Sequence, residues 1–213
     1  MSALRLTIST TLLLLLSIAT FERNYVWNDR IVFWSDVALK SPHRTRSHNN
    51  LGSALIAAGR CGDAMPSLMQ SVKIDQWYIE PHYNLAICYV KKNRFDAAIP
   101  ELEKVISINV VLKKGHYGVS TAPRFEMQAH STLGNIYNMK GMFDKAVFHF
   151  QEALKLSPKD AVTRFNLALT YETMGMLKEA KAELEEVLKI NPMDEGAKRG
   201  IKRLGAAADM GKQ

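Results

Sequence analysis

The sequence predicts an all-α solenoid made of antiparallel helix pairs. The first observation is a leucine followed by glycine or alanine, which recurs at 51–52, 85–86, 133–134 and 167–168, at spacings of 34, 48 and 34 residues. The second is an alanine twelve residues after each of these glycines or alanines, and the third is a glycine or asparagine between them. Recurrence at such a period is typical of stacked repeats, each one a helix, a turn and a second helix.

The amino terminus predicts an apolar helix that precedes the solenoid. Leu6 to Phe21 carry no charge and centre on five consecutive leucines, Leu12 to Leu16. Sixteen helical residues at about 1.5 Å each span roughly 24 Å, less than the roughly 30 Å of a bilayer's hydrocarbon core. Residues 1–21 are therefore interpreted as a signal peptide or a short membrane anchor, and a buried core helix is the alternative.

Residues 22–44 are interpreted as a linker and a partial repeat. A helix is expected from Asp29 to Lys40, and it should end before Pro42. Pro42 precedes Leu51 by nine residues, the same distance at which a proline precedes the leucine of the last repeat. This helix is therefore expected to replace the second helix of a degenerate preceding repeat.

Four repeats are expected, at 45–78, 79–112, 127–160 and 161–194. Their first helices should bury residues four positions apart: Leu51 and Leu55, Leu85 and Tyr89, Leu133 and Tyr137, and Leu167 and Tyr171. Small residues should let the two helices of each pair approach closely: Gly52 and Ala64, Ala86 and Ala98, Gly134 and Ala146, and Ala168 and Ala180. The inward residues of the second helices should be Leu68, Leu102, Phe150 and Leu184.

The turn inside each repeat has its own signature. A glycine, or an asparagine in one repeat, stands where the first helix must end in a left-handed conformation: Gly59, Asn93, Gly141 and Gly175. Asp96 and Asp144 are the expected N-caps of two second helices.

Two further segments complete the chain. Residues 113–126 interrupt the repeats and are expected to form an insertion loop, which is either a plain linker or a contact site that uses Lys113, Lys114, His116 and Tyr117. Residues 195–213 should form a capping helix and a tail. Their apolar side chains fall on one helical face and the basic Lys198, Arg199, Lys202 and Arg203 on the solvated one.

Together these residues resemble the tetratricopeptide repeat (TPR) from 45 to 194, apart from the insertion. The resemblance implies a right-handed superhelix with a concave groove that is lined by the first helices. It also implies a protein-protein interaction scaffold that binds a protein or peptide partner in that groove, and the amino-terminal segment places this scaffold at a membrane. The sequence departs from the family at one position where tryptophan is common, which here holds His48, His82, His130 and Arg164.

By carry-over from the family, the groove residues are expected to be Arg46, Asn49, Ser53, Tyr83, Asn84, Ile87, Lys91, Ser131, Asn135, Asn138, Phe165, Asn166, Leu169 and Glu172. The asparagines could hydrogen-bond the backbone of an extended peptide, while Tyr83 and Phe165 offer anchors. The alternative is that these side chains are only solvated.

A second resemblance concerns residues 22–42, which are similar to the junction between the last membrane span and the C-terminal repeats of multi-spanning, glycosyltransferase-like bacterial membrane proteins. It implies a membrane-anchored chain with exoplasmic or periplasmic repeats; secretion to the periplasm after signal cleavage is the alternative. It also implies a rival function, as an accessory or C-terminal part of such a glycosyltransferase-like system.

Enzymatic chemistry is not expected. The sequence contains no glycine-rich phosphate loop, nucleophile elbow, HExxH pair or paired-carboxylate constellation, so no catalytic residue and no cofactor is predicted. His48, His82 and His130 recur at one repeat position, but equivalent helices lie about 10 Å apart, too far to share a metal ion. Two cysteines, Cys61 and Cys88, are too few for a disulfide framework, although a single bridge between them is permitted.

The net charge of +7 does not concentrate on one face, so nucleic acid is not an expected partner. Binding of anionic lipid or nucleic acid by the basic tail is kept as an alternative. Oligomeric state, membrane orientation and the partner itself cannot be read from the pattern.

Overall fold

The computed structural model describes residues 2–114 and 122–210, which form helices joined by short turns. Within these ranges there are eleven helices and no strand: α1 (Ser2–Asn28), α2 (Arg30–Lys40), α3 (Thr45–Ala57), α4 (Cys61–Ile74), α5 (Ile79–Lys91), α6 (Phe95–Lys114), α7 (Ala122–Met139), α8 (Phe143–Leu156), α9 (Ala161–Thr173), α10 (Leu177–Ile190) and α11 (Glu195–Met210). The all-α prediction is confirmed.

The helices fall into two compact units, one ending at Asn84 and the other beginning at Leu85. In the first unit α1, α2, α3 and α4 pack in chain order, each on the next. In the second unit α6 to α11 do the same, and α7 also contacts α9. Packing of each helix on its neighbours in sequence is how a solenoid forms its core without long-range pairing.

The predicted turns are confirmed. The left-handed residues in the described part of the chain are Gly59, Asn93, Gly141 and Gly175, with φ between 55° and 76°. In every one of these turns the next residue donates its backbone N–H to a carbonyl of the first helix five residues earlier, as Arg60 does to Leu55 at 2.8 Å and Met176 to Tyr171 at 2.9 Å. These Schellman bonds satisfy carbonyls that the helix end would otherwise leave unpaired.

The predicted N-caps of the second helices are wrong. Helix α6 begins at Phe95 and α8 at Phe143, so Asp96 and Asp144 lie inside the first turn. The chain re-enters the helix two residues after the left-handed position, so the N-cap position falls on the residue between them, and in α8 this residue, Met142, makes no side-chain capping bond. The carboxylates still face the positive end of the helix dipole.

Aspartates cap other helices instead. Asp29 accepts N–H bonds from Ile31 and Val32 at the start of α2. Asp160 caps α9 and Asp194 caps α11, through backbone N–H groups three residues later at 3.0 and 2.9 Å. Asp160 and Asp194 are 34 residues apart, so α11 begins as a further first helix would.

Small residues face large ones inside each helix pair. The alanines and glycines at the predicted contact positions are buried, as are Leu68, Leu102, Phe150 and Leu184. A Cβ added to Gly134 would lie 2.5 Å from the ring of Phe150, and one added to Gly52 would lie 2.4 Å from Leu68. The distance between the two helices of a pair is therefore set by the large side chain that faces each small residue. Among the predicted stripe residues Leu51 is only half-buried.

The loop predicted over residues 113–126 is shorter in the structure. Helix α6 continues to Lys114 and α7 starts at Ala122, so both ends of the 113–126 segment are helical. His116 and Tyr117, which the loop hypothesis singled out, lie outside the described residues.

At the amino terminus, the predicted helix is present as α1, and residues 7–21 are exposed along its length. No helix in the described part of the chain combines the length and apolarity that crossing a bilayer requires. The membrane anchor gains no support from this finding and stays a prediction.

We predict that Gly134→Ala lowers the free energy of unfolding by about 1–3 kcal/mol, because the added methyl group overpacks against the rigid Phe150 ring. Adding Phe150→Leu should restore most of the loss, since alanine stands opposite leucine at this position in the second and fourth repeats. Urea unfolding followed by circular dichroism measures both variants.

Gly205→Ala is the control for that experiment, because Gly205 lies in α11 with open space where its Cβ would stand. It should be neutral or slightly stabilising. A Gly134→Ala variant as stable as the parent chain would show that the helix pair can open without cost.

Candidate functional site

In the first unit, the predicted groove residues Asn49 and Asn84 belong to one polar network. Asn84 Nδ2 donates to Asn49 Oδ1 at 3.0 Å, and Asn49 Nδ2 donates to Glu80 Oε2 at 2.8 Å. Tyr78 donates its hydroxyl proton to the same Glu80 oxygen at 2.8 Å. Asn49 is only 2% exposed. Its amide therefore orients Asn84 and is available mainly to its own neighbours.

Tyr78 is held in its protonated form. Burial raises its pKa well above the usual range for tyrosine, and the hydrogen bond to Glu80 and the charge of that residue raise the pKa further. The nearby charge of Arg46 opposes this effect. The hydroxyl is consequently a permanent donor, which fixes the Glu80 carboxylate under Asn49.

In the second unit, a row of hydrogen bonds joins the first helices α7 and α9. The bonded pairs are Ser131 with Thr163 at 2.8 Å, Asn135 with Asn166 at 3.0 Å, and Asn138 with Thr170 at 3.2 Å. All four predicted groove residues with amide or hydroxyl side chains on α7 and α9 belong to this row. It ties two adjacent repeats along one line of polar side chains.

The row continues from α9 to the capping helix. Arg203 donates Nε and a terminal guanidinium nitrogen to the two Glu172 oxygens at 2.7 and 2.6 Å. These charge-assisted bonds lower the pKa of the Glu172 carboxyl. Arg203 lies on the exposed face of the cap, as predicted, and its guanidinium also binds Glu172, the last predicted groove residue.

The amide pair of Asn135 and Asn166 uses only half of its hydrogen-bonding capacity. Asn166 Nδ2 donates to Asn135 Oδ1, while Asn135 Nδ2 and Asn166 Oδ1 have no bond to any other described residue. Asn135 is exposed and Asn166 half-buried. The pair therefore offers one donor and one acceptor side by side to solvent.

The remaining predicted groove residues lie on the same helices. In the first unit Arg46 is exposed, and Ser53 and Tyr83 are half-buried. In the second unit Lys91 is exposed, and Ile87, Phe165 and Leu169 are half-buried. Phe165 also lines a cavity of about 310 Å³ with Val162 and the start of α11.

The position where the family often has tryptophan serves to fasten the loop before the helix. Nε2 of His48 lies 2.9 Å from the carbonyl of Pro42, and Nε2 of His82 lies 3.1 Å from that of Gln76. Arg164 Nε donates to the carbonyl of Pro158 at 3.0 Å. In each case the carbonyl is six residues upstream.

His130 differs because α7 starts early, at Ala122, so the residue six positions upstream is already helical. Instead, Nδ1 of His130 lies 3.0 Å from Nδ1 of His149 on α8. This bond requires one proton shared between the two Nδ1 atoms, so the pair cannot take up two protons and remain intact. His149 was not predicted from the sequence, because it stands at none of the recurring repeat positions.

Burial lowers the pKa of His149 to about 4. The neighbouring His130 and Lys145 lower this pKa as well, while Glu152 opposes them. The Tyr137 ring stacks on His149 with centroids 5.3 Å apart and an interplanar angle of 11°. His149 is thus neutral in the folded chain near pH 7.

The described residues were also compared with the requirements of a metal site and of a disulfide. In the ranges that the structure describes, no group of three or more histidine, cysteine or acidic residues could hold a metal ion. Cys61 and Cys88 are both buried thiols.

Comparison with known proteins agrees with the architecture. The sequence model of the tetratricopeptide repeat matches residues 55–110 and 138–204, more than half of the chain. BBSome complex member BBS4 of Bos taurus is 25% identical over 134 residues, which is 63% of this chain and 23% of that protein. DnaJ homolog subfamily C member 3 of Mus musculus is 27% identical over 113 residues, 53% of this chain and 20% of that protein. The chain thus spans less than a quarter of these relatives.

Solved structures show the same fold. MamA superposes with a TM-score of 0.65 and 24% identity over 76% of this chain and 86% of MamA. MamA from Desulfovibrio magneticus RS-1 gives 0.65 with 14% identity over 78% of this chain and 85% of its own. PilF of Pseudomonas aeruginosa gives 0.61 with 18% identity over 78% and 69%. The junction resemblance of residues 22–42 to glycosyltransferase-like membrane proteins is not shown by these likenesses.

We predict that the stability of the second unit falls as the pH drops from about 7 to 4. The unfolded chain protonates His149 near its ordinary pKa of about 6.5, whereas the folded chain resists protonation until about pH 4. Keeping His149 neutral therefore costs nothing above pH 7 and costs free energy as the pH falls below its ordinary pKa. Because the ring is partly solvated, we expect a loss on the order of 1–2 kcal/mol.

His149→Gln keeps a group that can hydrogen-bond His130 but cannot titrate, so it should flatten the pH dependence. Guanidinium unfolding at several pH values measures this, with His43→Gln, on an exposed loop position, as the matched control. If the unfolding free energy of the His149→Gln variant falls with pH as steeply as that of the parent chain, His149 is not the source of the pH dependence.

Proposed function

The chain belongs to the tetratricopeptide repeat family, and from this premise we propose that it is a scaffold whose first helices bind an extended segment of a partner protein. Proteins of the family are generally protein-interaction scaffolds. One relative is named as a member of a protein complex, which agrees with such a role. We propose no catalytic role for the chain.

The observation that carries the proposal is the amide pair of Asn135 and Asn166. Its unused N–H and C=O groups match the C=O and N–H groups of a peptide backbone in extended conformation. In the first unit, Asn84 is oriented by Asn49 and likewise retains its own amide oxygen for a ligand. Binding through such groups gives affinity that depends little on the partner's side chains.

The side chains beside the amides would supply selectivity. Phe165 and Leu169 are half-buried and flank Asn166 on α9, so they offer apolar anchors next to the backbone contacts. The hydrogen bonds between α7 and α9, and those of Glu172 with Arg203, hold this surface in place before a ligand arrives. A surface fixed in advance loses less entropy on binding.

We also propose that α1 brings the repeats to a membrane, as an anchor or an export signal, with the repeats on the exoplasmic or periplasmic side. Leu12 to Leu16 are each more than half exposed. Hydroxyls in the same segment donate to carbonyls three or four residues earlier, as Ser17 does to Leu13 and Thr20 to Leu16. Hydroxyls that are satisfied within the helix lower the cost of apolar surroundings.

The interaction surface can be tested by site-specific photo-crosslinking in cells. A photo-reactive amino acid at Asn138 should form a covalent adduct with a defined partner, and one at the exposed Lys181 on α10 should not. Adding Asn166→Ala to the Asn138 probe should reduce the adduct about tenfold, the effect of losing roughly 1.4 kcal/mol. Equal adducts from both positions would contradict the proposal.

The membrane proposal predicts that Leu14→Arg releases the chain from the membrane fraction or blocks its export, because a charge in an apolar segment is costly. Leu39→Arg is the matched control, since Leu39 is an 81% exposed leucine outside α1. Sedimentation and mass spectrometry of the mature amino terminus report the outcome. If both variants behave like the parent chain, α1 has no membrane role.

A further inference from the structure

A second site lies in the first unit, between α2 and α3. A cavity of about 740 Å³ opens there, and its lining includes Trp34 and Val37 from α2, His43 and Arg44 from the connecting loop, and Arg46 and Asn50 from α3. Its volume is in the range of sites that hold ligands of several heavy atoms. Apart from Arg46, none of these residues belongs to the predicted groove.

The charged side chains in this lining are all basic. It contains two arginines and a histidine but no carboxylate. Arg44 and Arg46 form no ion pair with any described carboxylate, whereas Arg60 in the same unit pairs with Asp63 at 2.7 Å. The first turn of α3 also lines the cavity and adds the positive end of a helix dipole. An anionic group is therefore the complementary ligand.

The α2 side of the cavity lining is apolar. Trp34 is half-buried, and the Phe33 ring meets it edge to face at a centroid distance of 4.9 Å. Val37, one helical turn further along α2, is also half-buried. An apolar side chain placed here would lose contact with water on both sides.

The loop that carries the basic residues is held from within. The buried Ser47 donates its hydroxyl proton to the carbonyl of Arg44, at 2.6 Å, and lies 3.2 Å from that of Ser41. His48 Nε2 is bonded to the carbonyl of Pro42. The loop backbone is thus ordered by side chains of α3, and it presents Arg44 without needing a ligand to shape it.

We propose that this cavity binds an acidic segment of a partner protein, with a large apolar side chain against Trp34 and Val37 and carboxylates on Arg44 and Arg46. The inference rests on the proposed scaffold function and adds a second, charge-selective contact to it. A free inorganic anion would fill only a small part of the space and leave Trp34 and Val37 without a contact.

The test uses the full chain with Trp27→Phe and Trp77→Phe, so that Trp34 is the remaining tryptophan. Its fluorescence is followed during titration with a blocked pentapeptide that has phenylalanine between two pairs of glutamates. A saturable change is expected, with a dissociation constant at least tenfold lower than for the peptide with lysines in place of glutamates. Replacing the phenylalanine by glycine should also weaken binding severalfold.

Arg44→Glu and Arg46→Glu should each weaken binding of the acidic peptide at least tenfold, while Arg60→Glu, the same charge reversal outside the cavity, should leave it unchanged. Calorimetry with the unsubstituted tryptophans repeats the comparison and excludes an effect of the tryptophan substitutions. Circular dichroism checks that each variant is folded.

Three outcomes would overturn the proposal: equal weakening by Arg60→Glu, equal affinity for inorganic phosphate and the peptide, or a response to vesicles of phosphatidylglycerol that exceeds the response to the peptide. The scaffold proposal is tested separately by Asn135→Ala with Asn166→Ala. That variant should still bind the acidic peptide, so failure at one site is distinguishable from failure at the other.

Discussion

The structure depends on the close approach of two antiparallel helices, which is possible only where a small residue on one faces a large residue on the other. Gly134 against Phe150 is the tightest example with a rigid partner, since no Cβ fits between them. Gly200 against Leu184 repeats the arrangement between α10 and the capping helix, where an added Cβ would lie 2.7 Å from the leucine. Because each contact is local, the chain forms its core by repetition and leaves the polar surfaces of the helices to other uses.

The fold could be predicted from the sequence because these packing contacts are local and recur at a fixed spacing. The left-handed turns at Gly59 and Asn93 follow from backbone sterics, which tolerate few residue types, so the sequence reports them directly. The buried stripe and the small contact residues follow from helical periodicity in the same way. Asp96 and Asp144 were misjudged because capping depends on where the helix begins, and the tight turn moved that point by one or two residues.

Less of the candidate site could be predicted, because its hydrogen bonds join side chains that lie on different helices. Family carry-over placed Asn49 in the groove, but only the structure reveals that Tyr78 and Glu80 bury and saturate its amide. The bond from Arg203 to Glu172 was not predicted, because the two residues are 31 positions apart in sequence. His149 carried no signal at all, since its role depends on the early start of α7.

The loop clamps at His48, His82 and Arg164 have a consequence for how such a chain can change in length. Each clamp bonds a residue of its own helix to a carbonyl only six residues upstream. A duplicated 34-residue unit that begins at the clamp carbonyl, three residues before the repeat boundaries given above, would therefore contain both partners of this hydrogen bond. Where the clamp is missing, at His130, the spacing of 34 is also broken. In this chain, the repeats that keep the 34-residue spacing are thus the ones that contain the clamp hydrogen bond.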